Sequence, residues 1–460
     1  CSRRANRLED GWILRDCYNR IILVSGLARP SRAILQRRDD FMDTGKTYEV
    51  KDISLAPQGK LNIELAERSM GIMQVIKARF EKEKPFSGLT IGLALHVTKE
   101  TAVLVRTLEA GGARVAITGC NPLSAQDDVA AALAESGTIV YAYKGETRED
   151  YYRYLEKVLD SNPHLTIDDG ADLVTLIHTK RRELIPSIIC GSEETTTGVI
   201  RLRAMEKEGK LEYPVIAVND NKTKHLLDNY YGTGQSTLDG ILRATNILIA
   251  GKKFVIAGYG PCGKGLSLKA KGMGANVVVC EVDAFRALQA HLDGFDVMPM
   301  KEAAKIGDIF VTVTGCKSVI TPEHVKTMKD NAILANSGHF DVEIDVAGLE
   351  KIGKKRRVRP SLDEYEINGK RIYLCGEGRL VNLAAAEGHP SEVMATSFAG
   401  QALAMEYAVL NKGKFKPVVF MLPLEIDDEI ARLQLSAVGV KIDSLTKEQQ
   451  EYLSGWSEGT

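Results

Sequence analysis

Short apolar runs alternate with amphipathic helical stretches from about residue 88 onwards, and this alternation constrains the fold of the 460-residue chain more than any other feature. Strands that are apolar throughout are typical of a parallel sheet covered by helices on both faces. The runs fall into two series, so we predict an α/β protein with two doubly wound parallel-sheet domains and a small C-terminal helical segment. The first series is Leu89–Leu95, Arg114–Thr118, Thr138–Ala142, Leu165–Asp168, Ser187–Cys190 and Pro214–Val218. The second series is Lys253–Ala257, Asn276–Cys280, Asp308–Val313, Ala332–Ala335 and Arg371–Leu374.

The gap between the two series suggests the domain boundaries. We predict a substrate-binding domain over residues 42–233, completed by residues 391–440, a second domain over residues 234–390, and a C-terminal segment over residues 441–460. The stretch Leu226–Ile249 is predicted to be largely helical and to act as a hinge. Ser391–Gly439 is also predicted to be helical, with no strand series of its own, and to pack on the first domain or on a partner subunit.

Composition argues against several classes of protein. Lys and Arg total 60 and Asp and Glu total 61, and the resulting net charge of −1 gives no electrostatic reason to expect nucleic acid or a membrane as partner. No apolar run approaches the ~20 residues that cross a bilayer. The eight cysteines are scattered without a CxxC pair or a Cys/His cluster, which argues against a disulfide framework and a structural metal site. We expect a small-molecule substrate and a reducing cytoplasm.

Residues 1–41 differ from the rest of the chain because they contain nine arginines and no lysine. An Arg-rich transit peptide is one interpretation, but the five acidic residues in the segment argue against it. We expect instead an unassigned N-terminal extension, with the ordinary domain beginning near Met42.

A glycine-rich turn opens the second series. Gly258, Gly260 and Gly263 follow the strand Lys253–Ala257, and Lys264 begins a helix. The first glycine permits a tight turn, the second lets the backbone approach a pyrophosphate, and the third allows close helix packing. The helix N-terminus offers free N–H groups to phosphates. This pattern predicts a Rossmann-like dinucleotide site.

The residue that ends the next strand indicates which dinucleotide binds. Glu281 lies 21 residues after Gly260, where it can accept hydrogen bonds from the adenosine ribose hydroxyls. Because a carboxylate at this place repels a 2′-phosphate, NAD is the predicted cofactor. Arg286 leaves an alternative open, since it can pair with such a phosphate or be a solvated helix residue.

Further polar side chains follow the predicted strands, at the edge where doubly wound sheets bind ligands. They are His96, Thr98, Asp168, Asp169, Asp172, Ser192, Glu194, Thr197, Asn219, Asp220, Lys224, Asp228, Asn229, Asn336, His339, Asp341, Asn382 and His389. Each also has a structural interpretation: Thr197 can cap a helix, Asp168 or Asp169 can form a turn, and Lys224 can be solvated. Their convergence predicts a ligand cleft between the domains. The spacing alone predicts a nicotinamide-dependent enzyme of unspecified substrate.

The strings that contain these residues resemble the S-adenosylhomocysteine hydrolases (adenosylhomocysteinases), in family order over roughly residues 45–455. The matching strings are His96–Ala102, Asp168–Asp172, Ser192–Gly198, Asn219–Lys224, Asp228–Asn229, Gly258–Gly265, Asn336–Asp345, Gly378–Asn382 and Gly388–Ser391. Residues 1–41 lie outside the match.

The resemblance implies a hydrolysis that uses tightly bound NAD without net redox change. The ribose 3′-hydroxyl of S-adenosylhomocysteine is oxidised to a ketone, which acidifies the C4′ proton, and homocysteine is eliminated after that proton is removed. Water then adds, and the ketone is reduced to give adenosine. The protein supplies orientation and proton transfers. Such a reaction belongs to the methylation cycle.

The resemblance also implies roles for single residues. Lys224, beside Asp228 and oriented by Asn219, would be the base at the 3′-hydroxyl, a role that requires a depressed pKa. Asp169 would remove the C4′ proton and His96 would assist at the sulfur or the attacking water, although these two roles can be exchanged. The implied substrate contacts are Glu194 at the ribose, Thr98, Glu100 and His389 at the adenine, and His339 on the homocysteine side. The implied cofactor contacts, besides the three motif glycines, are Thr195, Thr196, Thr197, Asn229, Glu281, Gly338 and Asn382.

The chain departs from the family pattern at several places. Ala171 replaces a glycine and is expected to avoid a positive φ. Arg286 replaces an asparagine near the adenosine ribose, and Thr233 replaces a cysteine near the nicotinamide. Gly455–Thr460 lacks the Lys/Tyr-bearing tail that many members lend to a neighbour's cofactor, so the resemblance is to short-tailed members. The family further implies a homotetramer whose domains close about hinges near Leu226–Ile249 and Asn382–His389.

Two other classes of protein are alternatives. An ordinary NAD-dependent dehydrogenase would not require the combination of Asp169, His96 and Lys224. A non-enzymatic regulator would be expected to have lost catalytic groups. Adenosine or inosine as the nucleoside, and any bound cation, are left open by the sequence.

Overall fold

The computed structural model describes residues 47–457 and residue 459, so the predictions for residues 1–41 and for a start near Met42 lie outside the described residues. Two eight-stranded sheets take up successive parts of the chain, and the last strand returns to the first sheet. Each sheet carries an apolar cluster on both faces. The prediction of an α/β fold with two doubly wound, Rossmann-like sheets is confirmed.

The first sheet is parallel throughout, in the strand order β1-β4-β3-β2-β5-β6-β7-β16. Its strands are β1 (Tyr48–Val50), β2 (Thr90–Ala94), β3 (Arg114–Thr118), β4 (Ile139–Ala142), β5 (Leu165–Asp168), β6 (Cys190–Glu193), β7 (Val215–Ala217) and β16 (Val419–Phe420). Its helices are α1 (Ala56–Ser69), α2 (Gly71–Glu83), α3 (Lys99–Ala110), α4 (Asp127–Glu135), α5 (Arg148–Leu159), α6 (Asp172–Lys180) and α7 (Thr196–Lys207).

The second sheet has the order β10-β9-β8-β11-β12-β15-β14-β13. Its strands are β8 (Lys253–Ala257), β9 (Asn276–Cys280), β10 (Asp296–Val297), β11 (Ile309–Thr312), β12 (Ala332–Asn336), β13 (Lys354–Arg359), β14 (Leu362–Ile367) and β15 (Lys370–Cys375). Its helices are α8 (Thr233–Thr245), α9 (Pro261–Gly272), α10 (Ala284–Leu292), α11 (Met300–Ile306), α12 (Pro322–Thr327), α13 (Val346–Ile352) and α14 (Val381–Ala384). Strand β15 is parallel to β12, but β14 runs antiparallel to its neighbours β15 and β13, so the expectation of a wholly parallel sheet is wrong here.

Two further sequence predictions need correction. The strand predicted at Ser187–Cys190 begins only at Cys190, because Arg182–Ser187 forms a 3₁₀ turn that contains Pro186. The helix predicted at Leu226–Ile249 is a π-helix over Lys224–Gly232 followed by α8, which ends before Asn246 in the left-handed conformation.

The C-terminal part of the chain returns to the first sheet. Helix α15 (Ser391–Leu410) packs against α2, α3, β6 and the π-helix, and it is followed by α16 (Leu424–Ala437) and α17 (Lys447–Ser454). The short β16 pairs with β7, which corrects the prediction of a strand-free segment over Ser391–Gly439. Within residues 47–457 and 459, no helix has both the length and the apolar character to cross a membrane.

Candidate active site

A cavity of about 900 Å³ lies between the carboxyl ends of the two sheets. The predicted site residues that line it are His96, Thr98, Glu100, Asp169, Glu194, Thr195, Thr196, Thr197, Lys224, Asp228, Asn229, Gly258, Gly260, Glu281, Gly338, His339, Asn382 and His389. Asn219 and Gly263 lie behind this wall. Parallel sheets place their ligands at this edge because the strand ends and helix N-termini converge there.

The glycine-rich turn after β8 forms a backbone cradle. Gly258 has a φ of +106°, and a Cβ there would lie 2.7 Å from the Val313 carbonyl oxygen, so a side chain would be strained and crowded. A Cβ at Gly263 would overlap the Gly258 carbonyl. A Cβ at Gly260, in contrast, would meet only Arg286 Nη1 at 3.8 Å. The absence of a side chain at Gly260 therefore serves a ligand that approaches the backbone, not the packing of the protein.

Helix α9 begins directly after this turn, with Gly260 as its N-cap and without a side-chain cap. Its first N–H groups are thus free to receive a phosphate. Glu281 is fixed beside them, since its carboxylate accepts hydrogen bonds from the backbone N–H groups of Tyr259 (2.7 Å), Val282 (2.7 Å) and Asp283 (3.0 Å).

Two buried polar atoms on the cavity wall also fit a polar cofactor. Thr197 Oγ1 and Asn382 Oδ1 have no hydrogen-bond partner among the described residues. Thr197 does not cap α7, which has Thr195 as its N-cap residue. Buried polar groups of this kind are usually satisfied by protein, water or ligand. The cradle, Glu281 and these two atoms together fit NAD, which when bound supplies hydride transfer.

The π-helix places three functional side chains on one face. Lys224, Asp228 and Asn229 are separated by four and five residues, a spacing that the wider π turn aligns better than an α turn. Lys224 Nζ donates to Asn229 Oδ1 at 2.8 Å and lies 3.4 Å from Asp228 Oδ2. It also lies 3.5 Å from Glu194 Oε1. The result is a buried ammonium group held between two carboxylates.

This arrangement contradicts the expectation of a depressed lysine pKa. Burial by itself lowers the pKa of Lys224, but the carboxylates of Asp228 and Glu194 outweigh burial and raise it above its ordinary value. The side chain of Asn219 does not touch Lys224 either. Its Oδ1 accepts a hydrogen bond from Asn229 Nδ2 at 3.2 Å, so the contact between Asn219 and Lys224 is indirect and runs through Asn229.

The loop from β5 to α6 presents Asp169 to the cavity. Asp168 turns away and accepts hydrogen bonds from the N–H groups of Asp169 (3.0 Å) and Val174 (2.9 Å), which agrees with its structural interpretation. Ala171 takes φ 62° and ψ 24°, so the expectation that it avoids a positive φ is wrong. The conformation is held by Glu193, which accepts from the N–H groups of Gly170 (2.8 Å) and Ala171 (3.0 Å).

His96 and Asp169 face each other at the centre of the site. His96 Nε2 lies 3.4 Å from Asp169 Oδ2, while His96 Nδ1 lies 2.7 Å from Ser124 Oγ. Burial lowers the pKa of His96 to about 4, with Asp169 opposing that shift. His339 Nδ1 approaches the other carboxylate oxygen of Asp169 at 3.3 Å. Asp169 therefore lies between two imidazoles.

The remaining predicted substrate contacts lie around this centre. His389 Nδ1 lies 2.7 Å from Asp228 Oδ1, and its Nε2 lies 3.3 Å from the Thr233 hydroxyl. Thr98 is the N-cap of α3, and Glu100 in its first turn is buried and accepts a 2.6 Å hydrogen bond from Ser391.

The sequence patterns missed four residues that support the site. Gln401 donates to Glu194 Oε2 at 2.5 Å, Ser397 donates to Asp228 Oδ2 at 2.5 Å, and the Cys120 thiol lies 3.2 Å from His96 Nδ1. Glu193 is the fourth. Gln401 and Ser397 lie on α15, some 170–210 residues away in sequence, so local spacing carries no signal for them. Glu193 belongs to a matching string, but only its three backbone contacts reveal its role.

Comparison with known proteins agrees with this geometry. The family described as S-adenosyl-L-homocysteine hydrolase matches residues 47–189, and its NAD binding domain matches residues 229–388. An adenosylhomocysteinase of Saccharolobus solfataricus is 58% identical over 90% of this chain and 100% of its own length. The chain belongs to the S-adenosyl-L-homocysteine hydrolase family. The resemblance, the hydrolase class and NAD as cofactor are thereby confirmed.

Other members of the family are equally similar. An S-inosyl-L-homocysteine hydrolase of Methanocaldococcus jannaschii is 59% identical over 90% of this chain and 100% of its own length. An adenosylhomocysteinase of Aquifex aeolicus is 57% identical over 90% of this chain. The relatives thus share one scaffold but differ in the purine named.

Proposed function

We propose that this protein hydrolyses S-adenosyl-L-homocysteine to adenosine and homocysteine, reversibly and through oxidation at the ribose 3′ position. The observation that carries the proposal is that one cavity contains two sets of side chains suited to proton transfer. The Lys224–Asp228–Glu194 cluster lies beside the dinucleotide cradle, and the His96–Asp169 pair follows strands β2 and β5 at the same carboxyl edge of the first sheet.

Lys224 acts at the 3′-oxygen in this proposal. Because the two carboxylates keep its ammonium form, Lys224 donates a hydrogen bond to O3′ and needs a neighbour to take the proton that leaves during oxidation. Burial raises the pKa of Glu194 to about 7, with Lys224 opposing and Asp228 adding to the shift. Glu194 Oε1 has no hydrogen-bond partner among the described residues. Glu194 is the group best prepared to accept that proton.

Asp169 removes the C4′ proton in the second stage, and His96 serves the leaving sulfur or the attacking water. The low pKa of His96 keeps it neutral at pH 7, so it can accept a proton and return it. An exchange of the two roles is compatible with their 3.4 Å separation.

The first test is thiol release from S-adenosylhomocysteine by the purified protein without added NAD. We expect steady homocysteine production, because the cofactor is recycled in each turnover. An absence of thiol release even after NAD is supplied would refute the proposed hydrolysis and favour a regulator.

Two substitutions separate the stages. Lys224→Ala should abolish oxidation of adenosine, measured as nicotinamide absorbance at 340 nm, in a protein that still folds, although the two carboxylates that lose their cation should lower its free energy of unfolding. Asp169→Asn should retain that absorbance change but stop homocysteine elimination, with a loss of two or more orders of magnitude in kcat. Undiminished turnover in the first variant, or equal losses of both stages in the second, would contradict the assigned roles.

The inosyl thioether is a second candidate substrate, because two relatives 59% and 57% identical are named S-inosyl-L-homocysteine hydrolase. The buried Glu100 carboxylate can accept either from an adenine amino group or from hypoxanthine N1–H. The ratio of kcat/KM for the two thioethers decides between them, and we expect it to favour the adenosyl compound.

We also propose a cytoplasmic homotetramer with the domain boundaries given above. Exposed apolar side chains such as Leu61, Leu65, Tyr452 and Trp456, on α1 and on the C-terminal segment, support association of subunits. Light scattering of the purified protein tests the assembly.

A further inference from the structure

Asp427 is a buried acid that does not line the cavity and that the proposed mechanism does not use. It belongs to the first turn of α16, and only 2% of its surface is exposed. Its carboxylate reaches a different element. Oδ2 accepts from the backbone N–H of Lys222 (2.6 Å), and Oδ1 accepts from the backbone N–H (3.2 Å) and the hydroxyl of Thr223. These three donors compensate for the burial of the charge, which is otherwise costly.

The donors directly precede the π-helix that contains Lys224. The first N–H groups of a helix have no partner within the helix, and Thr223, the N-cap residue here, makes no side-chain cap of its own. Asp427 supplies the missing acceptors from 205 and 204 residues further along the chain. A carboxylate at a helix N-terminus is also favoured by the helix dipole. Asp427 therefore caps the π-helix from another element.

A second helix contacts the same residue. The Thr396 hydroxyl of α15 donates to the Thr223 carbonyl oxygen at 3.2 Å and shares its proton with the Val393 carbonyl oxygen at 3.0 Å. The N–H, the hydroxyl and the carbonyl of Thr223 are thus all bonded to the C-terminal helices α15 and α16. Lys224 follows directly in the chain, so the backbone from which its side chain extends has little freedom to turn.

We propose that Asp427 is a positioning residue for Lys224: by capping the π-helix, it sets where the ammonium group meets the substrate. This inference rests on the proposed function, in which Lys224 binds O3′. The ammonium group has little tolerance, because it lies 3.4 Å from Asp228 and 3.5 Å from Glu194 and must keep both contacts while it binds the oxygen. A displacement of about 1 Å in a positioned group can lower a rate about a hundredfold.

Attachment of α16 does not depend on Asp427. Ile430 is fully buried in the apolar core of the first domain, and Ile426 and Leu433 pack against that core. The helix also packs against α2 and α15. Because burial of a side chain such as Ile430 contributes about 1.5–3 kcal/mol, α16 remains attached when the carboxylate is replaced. What the carboxylate adds is the position of the π-helix.

The test follows the first stage alone, as the rise in absorbance at 340 nm after the NAD-loaded protein is mixed with adenosine. In Asp427→Asn, one acceptor oxygen becomes an amino group that faces a donor instead of accepting from it. We expect the rate constant of the rise to fall about tenfold or more. The amplitude, which counts active subunits, and the adenosine concentration that gives the half-maximal rate should stay within about twofold.

Two further variants complete the experiment. Asp428→Asn, at the exposed neighbour of Asp427 on α16, is the matched control and should leave the rate constant unchanged. Thr223→Val removes the hydroxyl bond to Asp427 but keeps both backbone bonds, and it should lower the rate constant about threefold. If Asp427→Asn does not fold, Thr223→Val decides the question, and a rate constant equal to that of the parent would overturn the proposal.

The outcomes separate this proposal from the proposed function. A lower rate constant at full amplitude supports the positioning role. A lower amplitude with the rate constant of the parent would show a merely structural role and overturn the proposal, as would equal rate constants in Asp427→Asn and Asp428→Asn. If the parent shows neither an absorbance change with adenosine nor thiol release from S-adenosylhomocysteine, the proposed function itself is refuted.

Discussion

At the scale of single residues, His96 is the most constrained group in the site. Its Nδ1 lies between the Ser124 hydroxyl and the Cys120 thiol, and its Nε2 faces Asp169. Burial lowers the pKa of His96 to about 4 despite that carboxylate. His339, His389 and Lys224 lower this pKa further. The protein thus keeps a neutral imidazole next to an acid, at the cost of stability at low pH.

That cost predicts a specific pH dependence. The unfolded chain binds a proton at His96 below pH ~6.5, but the folded protein does so only below pH ~4. The free energy of unfolding therefore falls as pH decreases through this window, by at most ~1.4 kcal/mol per pH unit. Replacing His96 by Gln should remove this loss. Denaturant unfolding at pH 8 and pH 5 should show the variant gaining about 2 kcal/mol relative to the parent at the lower pH. Identical pH dependence in both proteins would contradict the assigned pKa.

The sequence predicted most residues that line the cavity but not their pKa values. The motif strings fixed which side chains end strands, and the topology then brings those ends together. The pKa of Lys224 depends on Glu194 and Asp228, whose distances arise only in the folded chain. The positive φ of Ala171 was likewise beyond a propensity argument, because Glu193 holds that loop from a neighbouring strand.

At the scale of elements, the π-helix and the cofactor helix α9 are in unusually close contact. A Cβ at Gly265 of α9 would overlap the Tyr230 carbonyl of the π-helix, and a Cβ at Gly234 of α8 would lie 2.7 Å from the Gly265 backbone. Both contacts involve backbone atoms that cannot rotate away. The absence of side chains thus couples the position of Lys224 to that of the dinucleotide cradle.

Substituting Gly265→Ala should therefore disturb two elements at once. We expect the free energy of unfolding to fall by about 1–3 kcal/mol or more, as for an overpacked core, together with weaker NAD retention. Gly272→Ala on the same helix is the control, since no atom lies within 4 Å of its added Cβ. Equal denaturation midpoints for the two variants would show that α9 and the π-helix can separate without cost.

Secondary-structure elements were predictable where a continuous apolar run in the sequence marks them. The bounds of β3, β5, β8 and β9 agree with the sequence prediction residue for residue. Strand β15 was predicted at Arg371–Leu374, but its hairpin partner β14 was missed because it carries three acidic residues, although Asn368-Gly369, with positive φ at both residues, is a recognisable two-residue turn. The π-helix was not foreseeable, since its register is set by packing against α9 and α15.

At the scale of the whole molecule, α14 and the segment that follows it contact the first half of the chain. Lys144, from the loop after β4, donates to the carbonyl oxygens of Leu383 (3.3 Å) and Ala384 (3.1 Å). Glu387 lies 3.1 Å from Lys99 of α3 and 3.4 Å from Arg243 of α8. These contacts hold the proposed hinge segment against the first sheet.

Removal of the Lys144 contact should loosen that arrangement. Lys144→Met should lower the free energy of unfolding by about 1–2 kcal/mol and weaken adenosine binding, because a charged donor to two carbonyls is lost. The exposed Lys447→Met should change stability by less than about 0.5 kcal/mol. Calorimetric titration and denaturant unfolding measure both effects, and equal values for the two variants would show that the contact does not support closure.

The edges of the two sheets have a consequence for the protein at high concentration. Strands β1, β10 and β16 are only two or three residues long, and β13, the one long edge, is exposed and carries five Lys or Arg residues among six. A strand from a second copy would find too few backbone groups at three edges and a row of like charges at the fourth. The fold is thereby protected against fibril growth by strand addition, and neutral residues in β13 would remove that protection.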